Sequence, residues 1–401
     1  MRAFIVIGLG FGDEGKGSMV DYLCQKYQSE LVVRFSGGPQ CAHNVVRPNG
    51  VHHCFSQFGS GTFTGSRTYL GPDVLIEPFA IQNEMRSLGM RPAYPFIDRR
   101  CGVVTPFHWI LNRIRELSRG VNRHGSCGMG IGEFRADQTK GHRILTVEDV
   151  LSGDSLSILR EIKDRHIEEA RQLATCEDAR ALLTRYLSEE PFRINAYYAG
   201  FLTGKTVGRS FLSDFFASTS RPIIFEGNQG VLIDEHWGEE PHRSWTSCTF
   251  KNAVQLLNSS GVDSMDSNET QRIGVIRHYM TRHGNGPFPT ENHNLSPSPK
   301  EHNTIGPWQG KFRIGEFDCE LLSYAAGACT PDCLAVTNLD SIKSNTWTYY
   351  PRFHGRGIGF TRPSECEPKI TSVNNMLRVI EDSLETPIGY TSFGPTYRDK
   401  A

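Results

Sequence analysis

The stretch that most limits how this chain can fold is GLGFGDEGKGS, residues 8–18, which directly follows the apolar run AFIVI. The next residues, SMVDYLCQKYQSE, place Met19, Val20, Leu23 and Tyr27 at helical spacing, and LVVRFSGG at 31–38 is a second β-rich run. Strand, glycine-rich turn, helix and strand make a βαβ unit, whose two strands run parallel. The runs RPIIFEG (221–227), RIGVIRHYM (272–280) and CLAVTNLD (333–340) also read as strands, each passing into a Gly- or Asp-containing loop. Polar residues at the carboxyl ends of strands put the expected site along that edge of a mixed, mostly parallel α/β sheet with flanking helices.

The 401 residues suffice for a large core, and we read 1–401 as a single elaborated domain. Within it, 145–215 is charged and has apolar positions three and four apart, as in SLSILREIKDRHIEEARQLATCEDARALLTRYL, which predicts a helical subdomain. Residues 291–313, ENHNLSPSPKEHNTIGPWQGKFR, are polar and rich in Pro, Gly and Asn. A loop that long in a compact domain is a candidate substrate loop.

Lys and Arg number 43 against 44 Asp and Glu, a net charge of -1, so no overall field recruits nucleic acid or an anionic membrane. Phosphate binding therefore has to be local. The 11 cysteines are odd in number and scattered without zinc-site spacing, which fits reduced thiols in a cytoplasmic protein. No apolar stretch reaches the roughly 18 residues of a membrane span. The amino-terminal MRAFIVIG lacks the basic start and apolar core of an export signal.

The opening loop admits two readings. As a Walker A motif, GxxxxGK[ST], Gly10, Gly15 and Lys16 match, but Gly17 stands where Ser or Thr would hold magnesium. As a dinucleotide fingerprint, GxGxxG, Gly8 and Gly10 match, while Asp13 replaces the third glycine and Lys16 has no role. A phosphate cradle needs converging backbone N–H groups, a helix amino terminus and a cation. This stretch offers all three, so the expected fold is P-loop NTPase-like. Asp13 and Glu14 are then the anomaly, because a carboxylate repels phosphate unless a divalent cation lies between them or the carboxylate acts as a base. Asp13 is the expected metal ligand in place of the missing hydroxyl, with a second duty in proton transfer.

GFGDEGKGSMVD resembles the GDEGKG signature of adenylosuccinate synthetases, ligases that join IMP and L-aspartate using GTP. SGGPQCAHNVV, FEGNQGVLID, TRHGNGPFPTE, LAVTNLD and the carboxyl-terminal TSFGPTYRD resemble further family segments in the same order, the third being similar to RVGAGPFPTE. The resemblance implies that GTP phosphorylates the purine 6-oxygen and that the aspartate amino group then displaces phosphate. It implies Asp13 as the base at the ring nitrogen, His43 as a donor to the transferring phosphoryl group, Lys16 as the phosphate-binding cation and Gln229 as an amide at the 6-oxygen. Gly12, Glu14, Gly15, Lys16 and Gly17 would cradle the GTP phosphates. Mg²⁺ would be held by Asp13 and the Ala42 carbonyl.

By the same resemblance, Asn338 and Asp340 would read guanine, since a carboxylate accepts from a ring N–H and an exocyclic amine that adenine does not pair in this way. Ser392, Gly394 and Pro395 would close over the base. Asp13, Gln40, Ser126, Cys127, Gln229 and Thr246 would hold the purine monophosphate, and Lys311 and Arg313 the aspartate carboxylates. The pattern departs at Cys127, where the family has Thr, at Met129, where it has Arg, and at Asn338, where it has Lys. A homodimer is implied as well, with a site completed across the interface.

Two other readings remain. The same chemistry on dGMP would give 2-amino-deoxyadenylosuccinate; the branch of the family acting on dGMP typically carries a smaller residue in place of Asp13, so its retention here favours IMP. A non-catalytic GTP-binding regulatory module would keep the guanine site and lose the chemical residues, whereas Asp13, Lys16, His43 and Gln229 all persist.

Overall fold

Three central strands of this chain lack polar alternation because both of their faces are covered. AFIVIG buries all six residues, LVVR all four and CLAVT all five. Apolar runs buried on two sides are what a parallel sheet between helical layers requires. The computed structural model describes residues 2–89, 93–298, 300–303, 306, 308–352, 360 and 366–401. Its main sheet has nine strands, in the order Ile388–Thr391, Cys333–Thr337, Thr270–Arg277, Ala3–Gly8, Ile223–Glu226, Leu31–Arg34, Arg67–Leu70, Phe96–Asp98 and Thr206–Val207. Every neighbouring pair in it is parallel. Antiparallel ladders occur in small satellites, including His43–Val46 with His52–Phe55 and Met280–His283 with Phe312–Gly315.

The two strands of the opening unit are not neighbours, because Ile223–Glu226 lies between them and pairs with both. From Ala3–Gly8 the chain first builds outward to Thr206–Val207, then fills this gap and continues on the other side through Thr270–Arg277. A reversal of this kind opens a crevice beyond the strand carboxyl ends.

Helix Lys16–Tyr27 packs Met19, Val20 and Leu23, all fully buried, against Val6, Ile224 and Val275 of the sheet. Each such side chain contributes roughly 1.5–3 kcal/mol on burial. The opposite face gathers Ile5, Ile7, Val33, Phe225 and Leu334. A further core joins Phe107 and Ile110 of helix Pro106–Ser118 to Ile158 and Ile162 of Ser155–Leu173, Tyr186 of Glu177–Ser188 and Tyr198 of Pro191–Leu202. With Val147–Ser152 and Phe211–Ser218, these helices occupy most of 145–215. The 11 cysteines are all unbridged, and among the described residues no helix is long and apolar enough to cross a membrane.

Candidate active site

The turn after Ala3–Gly8 runs through left-handed backbone at Gly12, Asp13 and Gly15, with φ of 103°, 64° and 96°. Six non-glycine residues among those described have positive φ. Gln28, Thr330 and Glu385 end helices, where this conformation is common. The other three, Asp13, Gln229 and Asn338, are all site residues expected from the sequence, each in a loop at a strand end. Backbone of this type persists where neighbours hold it, and it gathers at functional sites.

Here the neighbours are visible. Arg277 Nε donates to the Asp13 carbonyl at 2.6 Å, Thr337 Oγ1 to the Glu14 carbonyl at 2.6 Å, and Thr281 Oγ1 to the Gly12 carbonyl at 3.1 Å. Glu14 turns inward, accepting from the Gly12 N–H and from Lys16 Nζ, both at 2.7 Å. It thus shapes the cradle and holds the buried Lys16 ammonium. Helix Lys16–Tyr27 begins at Gly15 with no side-chain cap and no acidic residue in its first turn. Its amino-terminal N–H groups and dipole are left to an anion.

His43 comes to this helix start from the antiparallel satellite. A Cβ on Gly17 would stand 2.8 Å from His43 Cβ, so the glycine is what admits the imidazole. His43 Nδ1 lies 2.6 Å from Glu226 Oε1, and Glu226, fully buried, also accepts from the Ser60 N–H at 2.9 Å and from the Ser60 hydroxyl. His43 Nε2 is buried with no partner among the described residues. Burial pushes the imidazole down to about 4, against the raising influence of Glu226. Burial works to raise Glu226, but Arg34 and His43 bring it down to about 2. At neutral pH the ring is therefore neutral, with its proton on Nδ1 and the Nε2 lone pair unused. A negative charge arriving at Nε2 favours the doubly protonated, donating form.

Asp13 Oδ2 lies 2.9 Å from His283 Nδ1. Burial raises the Asp13 carboxyl, but the His283 hydrogen bond and the charges of His283, Arg277 and Lys16 leave it below its ordinary value. It is ionised throughout the neutral range.

A cleft of about 760 Å³, open to solvent, is lined by Asp13, Gly15, Lys16, Gly17, Ala42, His43, Asn338, Asp340, Ser392, Gly394 and Pro395. Ser392 is drawn beside the Asn338 turn by backbone bonds from its N–H to Val336 and from Leu339 to its carbonyl. Ser298 and residues 300–303 also line this cleft, with Lys300 Nζ 2.9 Å from Asp340 Oδ2 and Glu301 2.6 Å from Arg277. The Ala42 carbonyl accepts no hydrogen bond among the described residues, and the Asp13 carboxylate lines the cleft with it and Lys16. Two hard oxygen donors beside a phosphate cradle fit Mg²⁺.

Across the turn from this cleft lies a second group. Gln229 Oε1 accepts from Thr246 Oγ1 at 3.4 Å, and Thr246 is tied to Asn228 at 2.8 Å. The Gln40 side-chain Oε1, buried and without a hydrogen-bond partner among the described residues, stands beside Gly38, which also abuts Ile131 at the start of helix Ile131–Thr139. Ser126 and Cys127 precede that helix. Ser126 Oγ donates to Asn112 at 3.2 Å, and burial pushes the Cys127 thiol up to about 12, leaving it no anion and a weak donor. Met129 packs on the cluster of Leu75, Val104, Ile131 and Phe134 instead of facing a charge.

Lys311 and Arg313 are not in the first cleft. They line a separate, wider cavity with Arg123, Glu291 and Trp308. Arg313 is engaged bidentately by Glu291 and donates to the carbonyls of Gly284 at 3.1 Å and Gly286 at 2.8 Å, whereas Lys311 is exposed.

Sequence reasoning missed Glu226, Ser60, Arg277 and His283. A buried glutamate closing the apolar strand of FEGNQG was a signal for the first, but its partner is 183 residues away. The histidine of TRHG, where the family segment has Val, was a signal for the last.

A family model described as adenylosuccinate synthetase matches residues 5–346. An adenylosuccinate synthetase of Clostridium botulinum is 28% identical over 441 positions, covering 98% of this chain and 97% of that protein. One from a Wolbachia of Brugia malayi is 29% identical over 355, covering 86% of this chain and 77% of that protein. Among solved structures, fully ligated adenylosuccinate synthetase from Plasmodium falciparum superposes with a TM-score of 0.73 at 18% identity, covering 100% of this chain and 99% of that one. The succinoaminodeoxyadenylate synthetase of cyanophage S-2L, bound to dGMP and to dATP as an energy donor, superposes with a TM-score of 0.61 at 17% identity. That match covers 100% of this chain and 95% of that one.

Proposed function

This chain belongs to the adenylosuccinate synthetase family, and from that premise we propose that it joins L-aspartate to carbon 6 of IMP, with GTP as the phosphoryl donor. The observation that carries the reading is the convergence, at one uncapped helix start, of Asp13, Lys16 and a His43 Nε2 that has no partner among the described residues. The Asp13 carboxylate accepts the proton of the purine ring nitrogen beside the carbonyl, which makes the 6-oxygen nucleophilic toward the γ-phosphoryl group. Lys16 exchanges Glu14 for phosphate oxygens, and His43, protonated as that charge approaches, donates from Nε2 with Glu226 bracing Nδ1. Gln229 offers its amide to the purine, and Asp340 exchanges Lys300 for the guanine edge. The aspartate amino group then attacks carbon 6, and phosphate leaves with the former 6-oxygen. Mg²⁺, held by the Asp13 carboxylate and the Ala42 carbonyl, would neutralise charge between carboxylate and phosphates.

The aspartate carboxylates go to Lys311 and Arg313, and the monophosphate to Gln40, Ser126 and Thr246. Met129 and Cys127 are poor ligands for phosphate, which supports a homodimer in which a second copy of the chain completes that pocket; sedimentation velocity in solution tests this. The balanced charge and unbridged cysteines support a cytoplasmic enzyme.

The deciding experiment supplies purified protein with GTP, Mg²⁺, aspartate and either IMP or dGMP, and follows phosphate release and the succinylated nucleotide. The dGMP arm is motivated by the ligands of the cyanophage enzyme. Product from IMP is expected, and Asp13→Ala and His43→Ala should each lower turnover on the order of 10²–10⁴-fold. Tight GTP binding with no product from either purine would replace the ligase by a binding module.

A further inference from the structure

We propose that His283 is a positioning residue for Asp13, one that fixes which carboxylate oxygen faces the reacting purine; this rests on the ligase reading above. The backbone around Asp13 is held by Arg277 at the Asp13 carbonyl, by Glu14 at the Gly12 N–H and by Thr281 at the Gly12 carbonyl. What remains free is the rotation of the Asp13 side chain. His283 Nδ1, 2.9 Å from Oδ2, removes that freedom.

His283 can hold a fixed direction because it is itself fixed. It ends strand Met280–His283, opposite Phe312 in the antiparallel pair, and its ring meets the Phe312 ring edge-on with centroids 5.0 Å apart. The same ribbon carries Lys311 and Arg313 on either side of Phe312, and Arg282 pairs with Arg313 in register. The base and the side chains assigned to aspartate are thereby referred to one rigid ribbon. A carboxylate free to rotate would present the accepting oxygen about 1 Å away in much of its population, and misplacement of that size costs on the order of 10²-fold.

The test compares wild type, His283→Val and His283→Asn in steady-state turnover of IMP, together with calorimetric binding of Mg²⁺·GTP and thermal unfolding. Asn keeps a side-chain N–H close to the place of Nδ1; Val removes it. His283→Val should lower kcat roughly 10- to 100-fold. Its KM for IMP and its GTP affinity should stay within about threefold, and His283→Asn should recover most of the rate. Wild-type kcat in His283→Val overturns the proposal, as does an equal loss in both variants with intact GTP binding, because a merely structural role would not distinguish them. Wild-type protein that makes no product would remove the ligase reading and this role together, whereas an active wild type with an indifferent His283→Val removes only the role.

Discussion

Replacing His43 by Asn should flatten the acid limb of the protein's stability profile. Burial places the folded-state pKa of His43 at about 4, against an ordinary value of 6.5. Between those two values the unfolded chain takes up a proton that the folded chain refuses, so stability falls as pH falls from 6.5 to 4. The difference of about 2.5 pH units, at about 1.4 kcal/mol each, gives roughly 3 kcal/mol. Glu226 acts in a different window. Its folded value of about 2 lies below its ordinary 4.5, so its contribution is complete above 4.5 and is lost as pH falls toward 2. Most of the range between pH 6.5 and 4 therefore reports the imidazole. Urea unfolding of wild type and His43→Asn, followed by tryptophan fluorescence from pH 7 to 4, measures the difference. Wild type should lose roughly 3 kcal/mol more than the variant across that range. Parallel curves would refute the claim that burial keeps this ring neutral.

Four further outcomes are expected. Gly17→Ala places a methyl group 2.8 Å from His43 Cβ and 3.0 Å from the Asn44 carbonyl oxygen, so the imidazole must move; single-turnover rates should fall at least about tenfold while the protein stays folded. Lys300→Ala breaks a pair at the surface worth about 0–1 kcal/mol, so the KM for GTP should fall no more than about fivefold. Asp340→Asn should raise that KM roughly 10- to 100-fold, since hydrogen bonds to a charged acceptor are worth about 1.5–3 kcal/mol. Arg313→Lys keeps the charge but loses the fork on Glu291, and should raise the KM for aspartate about tenfold without changing that for IMP.

What could be read from the sequence was local. The AFIVIG strand, the glycine-rich turn and the helix after it announce themselves within 25 residues, because backbone conformation and apolar spacing are short-range properties. The order of the sheet was not legible: nothing in RPIIFEG says that it inserts between AFIVIG and LVVR, since pairing partners are chosen by packing across the whole domain. Charge pairing was hidden for the same reason. Glu226 with His43, His283 with Asp13 and Glu301 with Arg277 are tertiary meetings of residues that look ordinary in their own segments. Glu14 misleads in another way, because a carboxylate in a phosphate loop suggests contact with the ligand, whereas it turns inward to the loop's own N–H and to Lys16.

The intercalated strand has a consequence for how the chain is made. Until residues 223–226 leave the ribosome, Ala3–Gly8 and Leu31–Arg34 have a strand-wide slot between them, with backbone donors and acceptors on both sides awaiting the same late segment. More than half of the polypeptide must be synthesised before the founding unit can close. Nascent chains shorter than this expose two unfinished edges, and it is there that chaperones or aggregation would find them.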